Sequence, residues 1–312
     1  MIDAGPLLLR NCCGAIAKSA LDDAKKSGFN PKPIQVENIM KIGTLLRGAL
    51  LGLALVGASG LAASADQLAS VKSAGKIVTA TDMHYAPFDM VVDGTYQGMT
   101  KDLFDNVAKE IGVEPVYQDL PWTSQLPGLE VSKFDIVIAP VTITPERLER
   151  YTFTLPIADA TVGIVKAAAN KDINKPEDIA GKTVGVQQGT AQFKQLQEFG
   201  TKVGNVTIKE YGTTDEAYAD LAAGRLDAVA GSAPNLAYLV KQRGDVFALP
   251  EVSTFGKPTY FAWVLRKGDD SASFAGAIKD AIVKMTKDGR VKAIQEKWLG
   301  KYTELPLEVP AK

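Results

Sequence analysis

Short apolar segments alternate with amphipathic helical segments from residue 76 onward, and this alternation constrains the fold more than any other feature. Residues 76–81 form an apolar run rich in β-branched side chains, which is typical of a strand. Residues 101–111 place Leu103, Val107 and Ile111 four residues apart, which predicts a helix with one apolar face. Alternating strands and helices predict parallel sheets, because parallel neighbours need a crossover connection that is usually a helix.

The same alternation continues to the end of the chain. Strands are predicted at 134–139, 182–186 and 226–230, and helices at 215–223 and 272–287. Gly289 ends the last of these helices, and another helical face follows around Ile294. In such α/β folds, ligands bind at the carboxyl ends of the strands, where loops and helix N-termini meet.

Composition and charge exclude several classes of partner. With 46% hydrophobic and 23% charged residues, the balance is that of a globular chain. The formal net charge of −1 at pH 7 provides no field that would draw the chain to nucleic acid or to an anionic membrane. Both cysteines, Cys12 and Cys13, precede residue 66, so the rest of the chain has no thiol for a disulfide or a metal. We therefore expect no nucleic-acid partner, no metal and no cofactor.

Residues 40–65 have the pattern of a cleaved secretory signal. Lys41 and Arg47 precede an apolar run over 48–58, and the small residues Ala63-Ser64-Ala65 follow as a cleavage site. A transmembrane anchor is the alternative, but the apolar run is shorter than the roughly 20 residues that a spanning helix needs.

The polar leader at residues 1–39 is unusual, because a secretory signal normally starts the chain. We expect a start codon assigned too early, with Met40 as the initiator. Cleavage after Ala65 would then release a periplasmic protein that begins at Asp66. A translated leader would argue against export by the usual route.

Eight motifs follow one another between residues 75 and 303. They are ATDMHYAPFD at 80–89, Gly98 with Asp102-Leu103, LEVSKFD at 129–135, VTITPER at 141–147, YTFT at 151–154, GKTVGVQQGT at 181–190, GRLDAV at 224–229, and KDG at 287–289 with KWLG at 297–300. This ordered set resembles the family 3 solute-binding proteins, which are the amino-acid-binding components of ABC transporters.

The resemblance implies an α/β fold of the type II periplasmic-binding-protein class. Such a protein has two lobes, each a mostly parallel sheet flanked by helices, and two crossing strands join them. Here the first lobe is expected at 66–159 and 257–312, and the second at 160–256. Ligand binding is expected in the cleft between the lobes.

Arg147 is the first candidate for ligand binding, since the matching arginine of the family holds the ligand α-carboxylate. A guanidinium offers planar donors that fit a carboxylate and keeps its charge when desolvated. Thr142 adds a hydroxyl donor, and the Pro140 carbonyl can accept from an ammonium group. Read without the motif, an arginine near a helix start is an ordinary surface residue.

The resemblance extends the site to further residues. Backbone N–H groups at Thr190 and Ala191, and the Thr190 hydroxyl, are expected on the same carboxylate, because the N-terminus of a helix attracts anions. Tyr85 and Trp122 are candidates for an aromatic wall, and Asp82 for a partner of a cationic group. His84 in the same motif is interpreted as an ordinary loop residue, and Phe88 as a packing residue.

Ser232 departs from the family pattern, which commonly has an aspartate there to pair with the ligand α-ammonium. A serine hydroxyl can accept from an ammonium but cannot neutralise it, so the cost of desolvating that charge must be met elsewhere, and Asp82 is a candidate for this. The hypothesis follows that the ligand is an unusual amino acid, or one without a free α-amino group.

The predicted function is that of a monomeric periplasmic binding protein, which closes on a polar amino acid or a derivative and delivers it to a membrane permease. The first alternative is an enzyme on the same fold, similar to cyclohexadienyl dehydratase, for which Asp82 and His84 are the only acid–base candidates. A domain attached to a lytic transglycosylase would need a further catalytic domain, and a receptor-linked sensor would need a signalling segment.

Overall fold

The computed structural model describes residues 66–310, and all structural statements below refer to them. The leader at 1–39 and the signal segment at 40–65 with its cleavage site lie outside the described residues. They therefore stay predictions.

Strands and helices alternate along the described chain. The strands are β1 (Lys76–Thr81), β2 (His84–Tyr85), β3 (Asp89–Val92), β4 (Thr95–Gln97), β5 (Glu114–Asp119), β6 (Ile136–Thr142), β7 (Tyr151–Phe153), β8 (Ala158–Asp159), β9 (Val162–Ala167), β10 (Thr183–Gln187), β11 (Thr207–Tyr211), β12 (Ala228–Ser232), β13 (Phe247–Ala248) and β14 (Tyr260–Arg266). The α-helices are α1 (Gln67–Ala74), α2 (Met99–Ile111), α3 (Trp122–Glu130), α4 (Pro145–Arg150), α5 (Ala191–Val203), α6 (Thr214–Ala222), α7 (Ala233–Gln242), α8 (Ala272–Lys287) and α9 (Arg290–Leu299).

Two larger sheets draw on different stretches of the chain. The first sheet has the strand order β5-β1-β6-β14-β7, with β8 also paired to β14, and the second has the order β11-β10-β12-β9-β13. A small sheet, β2-β3-β4, follows β1. The backbone leaves the first sheet after β8 and returns to it at β14. The lobe limits at 159/160 and 256/257 remain predictions, because sheet membership alone does not say which residues move together.

Each larger sheet is mixed. Strand β1 runs parallel to β5 and β6, and β10 runs parallel to β11 and β12, as the alternation of strands and helices predicts. Strand β14 is antiparallel to β6, β7 and β8, and β9 is antiparallel to β12 and β13. The reason is that β9 and β14 enter their sheets from the other sheet and not through a helical crossover.

Apolar clusters cover both faces of the first sheet. Ile136 and Ile138 of β6 point into one cluster, and Val137, Ala139 and Val141 point into the other. Successive side chains of a strand face opposite ways, so a strand buried on both faces appears in the sequence as an uninterrupted apolar run. That run is the signal that predicted β6.

The predicted strands are present, but two of them begin two residues later than expected. The reason is the same in both cases, since an aspartate before the strand binds the backbone of a neighbouring strand. Asp135 accepts a hydrogen bond from the N–H of Val78 at 2.8 Å, and Asp227 accepts from the N–H of Thr183 at 2.8 Å. The helices predicted at 215–223 and 272–287 are confirmed as α6 and α8.

Gly98, the glycine of the second motif, is required for a steric reason. Gly98 has a φ of 144°, and a Cβ at this position would lie 2.1 Å from the carbonyl oxygen of Phe88. Close approach of two backbones therefore requires a glycine.

Beside this contact, Asp89 is fully buried, and the Tyr96 hydroxyl donates to its Oδ1 at 2.5 Å. Burial raises the pKa of Asp89 to about 7, against the opposing effect of its hydrogen bonds.

We predict that Asp89 makes stability depend on pH. Between about pH 4 and pH 7 the folded protein holds a proton here that the unfolded chain releases, so the contribution of this group to the free energy of unfolding falls as pH rises and is lost above about 7. Asp89→Asn keeps an acceptor for Tyr96 and removes the titration. Denaturant unfolding at about pH 5 and pH 8 should show the variant gaining stability relative to the original protein at the higher pH. An unchanged difference between the two proteins would contradict this.

Candidate functional site

A cavity lies between the two larger sheets, at the carboxyl ends of β1 and β10. It encloses about 360 Å³ of space between protein atoms, part of which opens to solvent. Its lining comes from both sides: Asp82, Tyr85, Trp122, Ala139, Pro140, Thr142, Arg147 and Phe261 from the side of the first sheet, and Gln187, Thr190, Ala191 and Gln192 from the side of the second. The chain thus places its polar groups where α/β folds bind ligands.

Arg147 is held in this cavity by backbone oxygens from both sides. Helix α4 starts at an N-cap, Thr144, whose hydroxyl accepts from the N–H of Arg147 at 3.3 Å. The guanidinium donates to the carbonyl of Thr142 at 3.1 Å and to that of Gly189 at 3.3 Å. Burial lowers the pKa of Arg147 to about 10, so the group stays cationic at neutral pH.

Trp122 packs its ring against that cation. The guanidinium carbon of Arg147 lies 5.3 Å from the centre of the indole ring, and the tryptophan is 9% exposed. An arginine over an aromatic face is attracted by the ring quadrupole, more strongly when both are desolvated. Trp122 therefore orients Arg147, and its predicted contact with a ligand side chain stays a prediction.

Asp82 is the acid of the cavity. Its side chain is 5% exposed, and it accepts from the Gln187 side-chain amide at 3.0 Å and from the N–H of His84 at 3.1 Å. Burial raises the pKa of Asp82, while these two hydrogen bonds act in the opposite direction. A cation near this carboxylate would replace the hydration that it has lost.

Tyr85 and Ser232 meet behind the cavity wall. The tyrosine hydroxyl donates to the serine Oγ at 2.9 Å, and both residues are buried. Burial raises the pKa of Tyr85 to about 12, so its hydroxyl is a neutral donor. Tyr85 lines the cavity as predicted, whereas Ser232 does not line it and already has a partner.

The N-terminus of α5 points into the same cavity. The Thr190 hydroxyl caps the helix by accepting from the N–H of Phe193 at 3.1 Å, and it donates to the carbonyl of Gln187 at 2.8 Å. The Thr190 hydroxyl proton therefore already has an acceptor within the protein, whereas the sequence predicted that it would bind the ligand carboxylate. The N–H groups of Ala191 and Gln192 lie in the first turn, where a helix offers no internal acceptor.

The remaining predicted residues, Pro140 and Thr142, also line the cavity, both from β6. The Thr142 hydroxyl accepts from the Gln192 side-chain amide at 3.3 Å. His84 does not line it, and its Nδ1 lies 3.8 Å from a carboxylate oxygen of Asp215 on an exposed face.

Three polar or aromatic residues of the site were missed by sequence reasoning. Gln187 ends β10 just before the predicted helix N-terminus, so its position at a strand end was a usable signal. Gln192 lies in the first turn of that helix. Phe261 gave no signal, because it reaches the cavity only through the pairing of β14 with Thr142 of β6.

Several hydrogen bonds and one ion pair cross the cavity from one side to the other. They are Tyr85 to Ser232, Gln187 to Asp82, Gln192 to Thr142, Arg147 to Gly189, and Lys194 to Glu146. Two of these contacts, Gln187 to Asp82 and Gln192 to Thr142, use side chains that also line the cavity on opposite sides. The described protein is thus closed around its site.

Comparison with known proteins decides the family. Residues 77–301 match the bacterial extracellular solute-binding proteins, family 3. This chain belongs to that family. It is 32% identical over 268 residues to the L-cystine-binding protein TcyJ of Escherichia coli (strain K12), and the match covers 84% of this chain and 98% of that protein.

Solved structures of family members support the fold. The structure of an ancestral arginine-binding protein bound to arginine has 30% sequence identity and a TM-score of 0.67, and the match covers 72% of this chain and 98% of that one. The ancestral amino acid-binding protein AncCDT-1, a precursor of cyclohexadienyl dehydratase, has 30% identity and a TM-score of 0.68, covering 74% and 99%. The expected type II periplasmic-binding-protein fold is confirmed.

Two kinds of feature are absent from the described residues. Between residues 66 and 310, no helix is both long enough and apolar enough to cross a membrane. In the same range, no group of three histidine, cysteine or acidic residues is arranged to hold a metal ion.

We predict that Trp122 supports solute binding through Arg147. Trp122→Leu should weaken binding by about 2- to 30-fold, since a cation–π contact contributes roughly 0.5–2 kcal/mol. Trp122→Phe keeps an aromatic face and should lose less. Calorimetry with the solute that co-purifies with the protein measures both changes. Equal losses in the two variants would mean that the ring acts by volume alone.

Proposed function

We propose that this protein is the periplasmic substrate-binding component of an ABC transporter for a polar amino acid or an amino-acid derivative. The observation that carries the proposal is the guanidinium of Arg147, held between the two sheets beside the N-terminus of α5. The names of the relatives support the ligand class, since they include cystine-binding and arginine-binding proteins.

The arrangement suits a carboxylate. An arginine has five N–H donors, so donors remain after the two hydrogen bonds to Thr142 and Gly189. The first-turn N–H groups of Ala191 and Gln192 add the partial positive charge of a helix N-terminus. A carboxylate held by both would contact the two sides of the cavity together.

Binding on both sides gives the transport mechanism. A ligand favours the closed form only to the extent that it binds this form more tightly than the open one. The solute would add its own bridges to those that already cross the cavity, such as Gln187 to Asp82. Hinge closure of two lobes joined by crossing strands follows, and the permease would recognise the closed shape. We propose that the protein acts as a monomer and reaches the periplasm through the signal at 40–65.

A second candidate is an enzyme on this fold, because AncCDT-1 is a precursor of a dehydratase. Asp82 is the acid in the cavity, and burial raises its pKa, which is also a property of catalytic acids. Against this reading, both hydrogen bonds that Asp82 accepts, from Gln187 and from a backbone N–H, favour its ionised form, which suits a counter-ion. We propose that no bond of the ligand changes.

We predict that Arg147→Ala weakens solute binding by about 100-fold or more, because charge-assisted hydrogen bonds contribute roughly 1.5–3 kcal/mol each. Arg150→Ala is the matched control, since Arg150 ends the same helix but pairs with Glu130 on the surface. Calorimetry of both variants, with circular dichroism for the fold, measures the effect. Near-original affinity in the Arg147 variant would remove the carboxylate clamp.

We also predict that bound solute is recovered chemically unchanged. The protein would be incubated with prephenate and with the amino acids that it binds, and mass spectrometry would follow the small molecules over time. Constant ligand masses support a binding protein. Dehydrated or decarboxylated products that disappear in Asp82→Asn would establish the enzyme instead.

A further inference from the structure

The charges of the cavity are balanced within its own lining. Of the twelve described residues that line it, Arg147 is the one base and Asp82 the one acid. The others are apolar or carry neutral polar groups, such as the side-chain amides of Gln187 and Gln192. The protein therefore presents one positive and one negative charge to whatever enters.

No second carboxylate lines this cavity, and in the wider opening beside it Glu146 is paired with Lys194. Asp89 is the other fully buried acid nearby, but it accepts from Tyr96 and does not line the cavity. Asp119 and Asp215 are exposed, and they contact the N–H of Met83 and the His84 side chain on the outside. Among the described residues that line this cavity, Asp82 is thus the counter-ion available to a bound cation.

Ser232 does not compensate for this. It is fully buried and does not line the cavity, and its Oγ already accepts a hydrogen bond from the Tyr85 hydroxyl. A ligand ammonium could reach it only by displacing Tyr85, which itself forms part of the wall. An uncharged hydroxyl would in any case leave the ligand charge unneutralised.

The charges of the cavity restrict the net charge of a solute that can bind there. We propose that this protein binds a zwitterion of zero net charge, whose carboxylate pairs with Arg147 and whose single cationic group pairs with Asp82, and that it discriminates against basic and acidic amino acids. The proposal rests on the proposed function and deepens it. Arginine and lysine bring a second cation, and glutamate a second carboxylate, and each extra charge would be desolvated without a partner.

The preference for a neutral zwitterion would distinguish this chain from relatives that carry the name arginine-binding protein. Similar folds can take ligands of different charge, because the charge of the cavity is set by single residues at strand ends. In this chain the lining holds one positive and one negative side chain, Arg147 and Asp82. A neutral zwitterion would form one ion pair with each of them.

Calorimetry on the full-length protein tests the proposal, after bound solute is removed by unfolding and refolding. The probes are L-glutamine and L-serine as neutral zwitterions with a single cationic group, L-arginine and L-lysine as cations, and L-glutamate as an anion. We expect one of the neutral compounds to bind about 100-fold or more tightly than any charged one, the range typical of a buried charge left without its partner. Tightest binding of arginine, lysine or glutamate overturns the proposal.

Two variants move the charge of the cavity in opposite directions. Gln187→Glu places a second carboxyl group beside Asp82, and the pair shares a proton until a second cation lets both groups ionise, so the ratio of arginine to neutral affinity should shift at least tenfold towards arginine. Asp82→Asn removes the acid, and it should reduce the preference for the bound zwitterion over its 2-hydroxy-acid analogue at least tenfold. Thermal melts establish whether each variant folds. If Gln187→Glu does not fold, Asp82→Asn alone provides the test. Unchanged ratios in the folded variants contradict the proposal.

The charge rule and the proposed binding function can fail separately in these experiments. If arginine binds most tightly and Arg147→Ala abolishes that binding, the amino-acid-binding function stands and the charge rule is wrong. If none of the probes binds and no amino acid co-purifies, both are wrong. If a neutral amino acid binds most tightly and the variants shift the ratios as described, both are supported.

Discussion

The guanidinium of Arg147 in the gap between two sheets is the interaction on which the rest of the site depends. A half-buried cation is costly unless its surroundings replace the water that it loses. Here the carbonyls of Thr142 and Gly189 and the ring of Trp122 do so, and they come from three different parts of the chain. Because one carbonyl lies across the cavity from the other, the position of the cation is tied to closure.

In the proposed function, closure and selectivity use the same groups. Gln187 bridges the cavity by donating to Asp82, and Asp82 is also the acid that a cationic group would meet. Tyr85 bridges to Ser232 at a point behind the lining, without any need for a ligand. Some of the contacts that close the cavity are therefore independent of the solute, while others must adapt to it. This division links the charge of the solute to the stability of the closed form.

The family motifs predicted most of the site, because residues at strand ends and helix starts keep their order along the chain. Eight of the nine predicted residues line the cavity, and whether they bind solute is a matter for experiment. Ser232 is the exception, and motif order could not reveal that Tyr85 would occupy its hydroxyl from the opposite side. Phe261 was invisible for a related reason, since a strand 119 positions after Thr142 brings it there. The two late strand starts were missed because Asp135 and Asp227 bind neighbouring strands.

Local pattern alone determined the order of strands and helices, the double-sided burial of β6, and the residue types available for binding. These follow from side-chain periodicity and backbone chemistry within a few residues, which are properties of the sequence itself. Only the tertiary structure decided which charges share the cavity, which hydroxyls are already engaged, and that β9 and β14 run antiparallel to their neighbours. Such outcomes depend on pairings between distant segments, for example Asp82 with Gln187, and no local pattern encodes a distance between residues 105 positions apart.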